Sequence, residues 1–206
     1  MLPEATLDAF VHELEKLAAP VIEKREELEK VLKPGDILYT KPKKIDKLHH
    51  RIFYAVESRI QGSPHTHVGL YAGNGKVIDA GAWTKGEDSA MAVHKVPLKK
   101  FTDRYQFKVL RVDAPKSVKE DAVEFAEDQV GKTFNTRGML RLVLPFQGKA
   151  GKEDRKRQAE ADSFFCSELI ANAYHEVGLA KAKKLKHIMP GDIAKSRLTK
   201  TVAEFR

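Results

Sequence analysis

The stretch SPHTHVGLYAGNGKVIDAGA, residues 63–82, has the pattern of a β-hairpin. Two runs rich in β-branched and aromatic residues flank Gly73-Asn74-Gly75, a composition typical of a tight turn between antiparallel strands. Polarity alternates along the first run, so Val68 and Leu70 are predicted to face the core and His67 the opposite side. The sequence therefore predicts a hairpin with a histidine near its start.

The register of this hairpin decides which face Asp79, the only acidic residue of the second strand, occupies. With a two-residue turn, Asp79 would oppose Leu70 on the core face. With a three-residue loop, it would oppose Gly69 and lie diagonal to His67. The second register avoids burying a carboxylate among aliphatic side chains, so we predict it. Asp79 would then orient the His67 imidazole, beside open space left by Gly69.

The patterns on either side of the hairpin alternate between strand-like and helix-like. Strands are expected at 36–40, 91–96 and 107–112, and helices at 45–61, 118–130, 136–144 and 163–178, with a polar surface loop at 147–161. This order predicts an α+β fold in which an antiparallel sheet packs against helices on one side.

The N-terminal residues have a helical period of their own. Apolar residues recur at helical spacing over residues 4–32, Pro20 is expected to kink the helix, and Pro34-Gly35 end it. We therefore divide the chain into an N-terminal helical extension, residues 1–33, and one larger domain, residues 34–206.

Composition narrows the classes of function. The 206 residues carry a formal net charge of +8, with Lys and Arg clustered at 41–47, 148–157 and 181–187. Such clusters indicate either a solvated surface or contact with an anionic membrane surface. Aromatic residues are not interleaved with them and no recognition motif is present, so nucleic acid is not predicted as a partner. The start, MLPEATLDAF, lacks the pattern of a secretory leader, and a cytoplasmic location is expected.

The single cysteine, Cys166, cannot form an internal disulfide and stands at the start of the helical pattern FFCSELIANAYHEVG, residues 164–178. With Asp162 or Ser163 as the cap, the free N–H groups of the first turn would favour the thiolate, which is the form that attacks. The alternative is a buried cysteine that packs like a small apolar residue. His67 as base and Asp79 as orienting group favour the nucleophile.

A zinc site formed by His65, His67 and Asp79 is a competing interpretation, because His-x-His with an acid can bind zinc and alternate strand residues share a face. The same side chains serve better as base and orienting group once a placed cysteine exists. We therefore expect neither a metal nor another cofactor.

Four segments, taken in order, resemble the permuted papain-like cysteine hydrolases of the NlpC superfamily, in the YiiX-like branch related to lecithin retinol acyltransferase-type enzymes. These segments are GDILYT (35–40), HTHVGLYAGNGKVIDA (65–80), FFCSELIANAY (164–174) and MPGDIAKS (189–196). In the unpermuted relatives the cysteine helix precedes the histidine hairpin, whereas here it follows. The resemblance spans residues 35–196 and implies a permuted papain-like (NlpC-type) fold.

The resemblance also implies roles for particular residues. Cys166 matches the nucleophile, His67 the general base and Asp79 the third polar position, where many relatives have His or Glu. The backbone N–H of Cys166 is the implied oxyanion donor, with Tyr39 as a further contributor. Glu168 matches a supporting residue of the cysteine helix, and a plain surface charge is the alternative for it.

The resulting hypothesis is a cysteine-dependent acyl hydrolase or transferase that cleaves an amide or peptide bond through a Cys166 thioester. One alternative is a lipid-directed acyltransferase or deacylase at anionic membrane surfaces, to which the basic clusters would contribute. Another is a non-catalytic binding module on the same fold. The sequence leaves the substrate open between amide, peptide and lipid acyl groups.

Overall fold

The computed structural model of the chain describes residues 19–45, 48–81, 92–134, 163–164, 166–179 and 188–206. The helix expected at 136–144 and the loop expected at 147–161 lie outside the described residues. The predicted N-terminal helical extension is described only from residue 19, and the domain boundary placed after residue 33 stays a prediction.

A sheet of nine strands forms the centre of the described structure. The strands are β1 (Val21–Ile22), β2 (Ile37–Pro42), β3 (His67–Gly73), β4 (Lys76–Gly81), β5 (Ala92–Pro97), β6 (Tyr105–Val112), β7 (Thr133–Phe134), β8 (Ser163–Phe164) and β9 (Thr199–Phe205). Their spatial order is β1-β9-β6-β2-β3-β4-β5-β7-β8. Neighbours from β9 to β7 run antiparallel, as predicted, whereas the short edge strands β1 and β8 pair in parallel.

Helices cover both faces of this sheet, whereas one covered side was predicted. The described helices are α1 (Arg25–Val31), α2 (Leu48–Gln61), α3 (Leu98–Arg104), α4 (Lys116–Asp128), α5 (Cys166–Glu176) and α6 (Pro190–Ala194). Helices α4 and α5 pack with Leu70 and Ile78 in one buried cluster, and α1 and α3 pack with Val77 and Phe107 in the other. Both faces are covered because neighbouring positions of one strand are apolar. No helix of the described ranges has the length and apolar character that crossing a bilayer requires.

The β3–β4 hairpin has the predicted register but reaches it through a different turn. Gly73 closes a two-residue turn at Asn74-Gly75, where both residues have positive φ, 49° and 64°. A bulge in β3 between Tyr71 and Gly73 then shifts the pairing, so that Leu70 lies opposite Ile78. Asp79 therefore falls on the face away from Leu70, as predicted.

The helix predicted for the N-terminal segment is wrong at Val21–Ile22, which form strand β1. The carbonyl of Pro20 accepts a hydrogen bond from the amide of Glu204 at 2.8 Å, and that of Ile22 accepts one from Arg206 at 3.1 Å. Pairing with β9 satisfies these backbone groups, and β-branched side chains suit a strand. Ile22 and Leu28 are buried, so this segment packs onto the sheet.

The cysteine helix begins later than predicted. Ser163 lies in strand β8, which pairs with β7, and Asp162 lies outside the described residues, so the predicted Ser163 cap is wrong. Helix α5 begins at Cys166 itself. The thiol-bearing residue is therefore the first residue of the helix, where backbone N–H groups have no partner within the helix.

Candidate active site

Cys166 is held in place by the packing of its helix. Cys166 is 8% exposed and belongs to the core cluster that joins α5 to the sheet. The next residue, Ser167, donates a hydrogen bond from its hydroxyl to the carbonyl of Ile188 at 2.5 Å. This bond ties the start of α5 to the segment that leads into α6, and it fixes the position of the thiol.

His67 is the first residue of β3, so the start of a strand and the start of a helix meet at this site. The hydroxyl of Thr40, on the neighbouring strand, donates to the backbone carbonyl of His67 at 3.3 Å. The imidazole stacks on the ring of Tyr105 with 5.7 Å between centroids. With 20% of its side chain exposed, the ring is held in place and still reaches solvent.

Asp79 contacts the imidazole as the hairpin register predicted. The distance between His67 Nε2 and Asp79 Oδ1 is 2.5 Å, and the Asp79 side chain is 1% exposed. A buried carboxylate needs a charged or hydrogen-bonding partner, and the imidazole is one. The pair therefore fixes the orientation of the ring.

The imidazole also forms a hydrogen bond with Cys166. Since Asp79 engages Nε2, Nδ1 is the nitrogen left for the thiol. Burial favours the neutral ring and by itself would lower the His67 pKa. The charge interactions with Asp79 and Cys166, together with hydrogen bonds to both, outweigh burial and hold the His67 pKa well above its ordinary value of 6.5. These interactions therefore favour the protonated form of the ring.

Two residues of this neighbourhood were not predicted from the sequence. Tyr105 supplies the ring on which His67 stacks. Glu57, on α2, is hydrogen-bonded to Thr66; burial raises the Glu57 pKa, and the charge of His67 partly offsets that rise. The sequence could have indicated Glu57, because Glu57 and Gln61 are four residues apart and two such polar residues lie on the same side of a helix.

Gly69 does not leave the open space that was expected beside the histidine. A methyl group at this position would lie 2.9 Å from Cζ of Phe101 and 3.0 Å from Cγ1 of Val77. Glycine is needed here because the ring of Phe101 occupies the space against the strand. The glycine thus supports the packing under the site.

The structure places Tyr39 and Glu168 without testing the roles expected for them. The Tyr39 hydroxyl is hydrogen-bonded to Ser63 and would lie 3.8 Å from a methyl group at Gly191. Burial raises the pKa of Tyr39, and Ser63 partly offsets that rise. Glu168 is half-buried in the first turn of α5, and its backbone carbonyl accepts a hydrogen bond from Asn172. The oxyanion and supporting roles stay predictions.

His65 does not join His67 in a metal site, contrary to the shared face that the zinc alternative assumed. The His65 ring stacks on Tyr39 at 4.8 Å, whereas the His67 ring stacks on Tyr105. The register of β2 and β6 places Tyr39 and Tyr105 on opposite faces of the sheet. In the described part of the chain, no three His, Cys, Asp or Glu side chains are arranged to hold a metal ion.

Comparison with known families matches residues 31–140 to one described as permuted papain-like amidase enzymes, YaeF/YiiX, C92 family. This range is more than half of the chain and contains His67 and Asp79, and Cys166 follows it. No curated protein sequence matches the chain.

Among solved structures, the fold is similar to the crystal structure of the metalloprotein yiiX from Escherichia coli O157:H7. The TM-score is 0.53 and the identity 15%, over 84% of this chain and 97% of the other. At this level of identity the likeness concerns the fold alone. The α+β architecture is thus that of the permuted papain-like proteins.

Proposed function

Because the chain belongs to the family of permuted papain-like amidases of the YaeF/YiiX type, we propose that it cleaves an amide or peptide bond through a thioester on Cys166. The observation that carries this proposal is the pair of hydrogen bonds made by His67, one to Asp79 and one to Cys166. A thiol, an imidazole and a carboxylate in this order form a nucleophile, a base and an orienting group.

The first half of the reaction forms the thioester. The proton is on His67 at the outset, and the thiolate sulfur of Cys166 attacks the carbonyl carbon of the amide. The carbonyl oxygen becomes an oxyanion, for which the backbone N–H of Cys166 at the start of α5 is the proposed donor. When the carbon–nitrogen bond breaks, His67 gives its proton to the leaving amine. Asp79 holds the orientation of the ring and stabilises the imidazolium for as long as His67 carries the proton.

The second half releases the acyl group. The neutral imidazole of His67 takes a proton from water, and the resulting hydroxide adds to the thioester carbonyl. The carbon–sulfur bond then breaks, leaving a carboxylic acid and the thiol or thiolate of Cys166. We propose water as the acceptor because the family is one of amidases. An amine or alcohol acceptor would use the same steps and give a transfer reaction.

The chain offers a direct test, since Cys166 is its only thiol. Iodoacetamide labelling, followed by mass spectrometry at about pH 6, should be at least tenfold slower in His67→Gln than in the unaltered chain, because the imidazolium stabilises the attacking thiolate. His175→Gln, a control on the same helix, should label at the unaltered rate. Cys166→Ser should hydrolyse none of a panel of N-acyl amides that the unaltered chain cleaves.

Two outcomes would count against this function. Equal labelling rates in the His67→Gln variant and the unaltered chain would mean that the histidine does not activate the thiol. Amide cleavage that persists in Cys166→Ser would mean that another group performs the chemistry. A non-catalytic binding module on the same fold predicts no cleavage at all by the unaltered chain.

A further inference from the structure

Helix α2 exposes its apolar side chains to solvent along one line. Leu48, Ile52, Val56 and Ile60 are 69%, 58%, 39% and 49% exposed. They recur every four residues, so they share the outer side of the helix. We call these four residues the apolar strip. Exposed aliphatic residues are ordinary when scattered, but a continuous row of them indicates a surface that contacts another apolar phase.

Polar side chains on the other side of the same helix make contacts that orient α2. The hydroxyl of Tyr54 donates to the carbonyl of Pro64. The buried side chain of Gln61 accepts a hydrogen bond from the amide of Gly191 at 3.1 Å. A helix on the surface of a water-soluble domain has the opposite arrangement, with apolar residues inward. The strip therefore faces outward because specific hydrogen bonds hold the polar side inward.

The charges around the strip are positive. Arg51 and Arg59 are exposed on α2, and Lys43 and Lys44 are exposed just before it. The only acidic residue between 48 and 61 is Glu57, which belongs to the inner side through its hydrogen bond with Thr66. Aliphatic side chains flanked by cations suit the boundary between acyl chains and anionic lipid headgroups.

We propose that the apolar strip of α2 docks the protein on an anionic lipid surface. The inner side of α2 contacts the segment that enters β3, because Thr66, the partner of Glu57, directly precedes His67. Docking through the outer side would hold the Cys166–His67 site about one helix diameter, about 10 Å, from the bilayer surface. An amide substrate held in that bilayer would then reach the thiol; this consequence rests on the proposed function, whereas the docking itself does not.

The docking is tested by sedimentation with vesicles, using the full chain with Cys166→Ser so that no lipid can be altered. Vesicles of phosphatidylglycerol mixed with phosphatidylcholine should bind the protein, and vesicles of phosphatidylcholine alone should bind it at least tenfold more weakly. Adding Ile52→Ser and Ile60→Ser should weaken binding by about tenfold or more, because both lose apolar burial in the bilayer. Arg51→Gln with Arg59→Gln should weaken binding by about tenfold through lost attraction to headgroups.

The matched control removes two equally exposed aliphatic side chains outside the strip. Val21 and Val130 are 49% and 43% exposed, and Val21→Ser with Val130→Ser should leave vesicle binding unchanged. Equal loss in the control and strip variants would overturn the proposal, as would equal binding to both kinds of vesicle.

Absence of vesicle binding would overturn the proposal as well, and two further measurements would then identify the occupant. A lower molecular mass of the strip variant in analytical ultracentrifugation would show that a second copy covers the strip. A lower Tm of the strip variant would show that the chain covers it itself. Vesicle binding by the Cys166→Ser chain does not depend on thiol chemistry, so failure of docking and failure of the proposed function are distinguishable.

Discussion

Acidification is expected to destabilise the protein through His65. Burial of this imidazole, reinforced by the charges of Lys108 and Lys41 and opposed by that of Glu204, lowers the His65 pKa from 6.5 to about 4. The unfolded chain takes up the proton at the ordinary pKa, and the folded chain does not. The contribution of neutral His65 to stability is therefore fully present above pH 6.5 and is lost as pH falls towards 4.

The size of this effect follows from the change in proton affinity. At 1.36 kcal/mol for each tenfold change, the full difference corresponds to about 3 kcal/mol, and about 2 kcal/mol is already lost at about pH 5. Partial exposure of His65 lets water screen the neighbouring charges, which lowers the expected loss at about pH 5 to about 1–2 kcal/mol.

Urea unfolding of the unaltered chain and of His65→Gln, at about pH 7.5 and about pH 5, measures this contribution. The two proteins share all their other titratable groups, so the contributions of those groups cancel in the comparison. Loss of the ring that stacks on Tyr39 changes the free energy of unfolding at both pH values, so it cancels as well. The unaltered chain should lose about 1–2 kcal/mol more than His65→Gln on acidification. His175→Gln should behave like the unaltered chain. Equal losses in the unaltered chain and His65→Gln would refute the reasoning.

Two further predictions concern the residues around the imidazole. Asp79→Asn should still orient His67 but lacks the charge that raises the His67 pKa, so the alkaline limit of activity should move to lower pH; a pH–rate profile identical to that of the unaltered chain would contradict this. Gly69→Ala should lower the free energy of unfolding by about 1–3 kcal/mol, because its methyl group would clash with Phe101. Gly81→Ala, whose methyl group would meet its nearest neighbour at 3.4 Å, should lower it less, and an equal loss in urea unfolding would contradict the clash.

The hairpin was predictable because the alternation of polarity and the cost of burying Asp79 lead to the same register. Alternation fixed the faces of β3, and the cost of burying a carboxylate among aliphatic side chains selected the register of Asp79. The turn itself was predicted incorrectly, since a two-residue turn with a bulge gives the same register as a three-residue loop. Burial thus constrained the position of Asp79 more strongly than turn composition constrained the turn.

The start of the cysteine helix was not predictable in the same way. Ser163–Phe164 form a strand only because Thr133–Phe134 lie beside them, and no local pattern records a partner about thirty residues away. The outward face of α2 was hidden for a related reason. A helical period reports that apolar residues share a side, and it does not say whether that side meets the protein or the solvent.

Because of the bulge in β3, the number of residues between His67 and Asp79 decides whether the two side chains lie on the same side of the sheet. A strand has only two sides, so adding or removing one residue between the His67 and Asp79 positions would exchange the sides of everything beyond that point. Such a change would move the Asp79 carboxylate into the aliphatic layer under α5 while every reactive residue remained in the sequence. A change in the length of the segment between His67 and Asp79 should therefore reduce activity far more than a change in its composition. Counting residues across the hairpin then becomes a criterion for recognising chains in which this site can assemble.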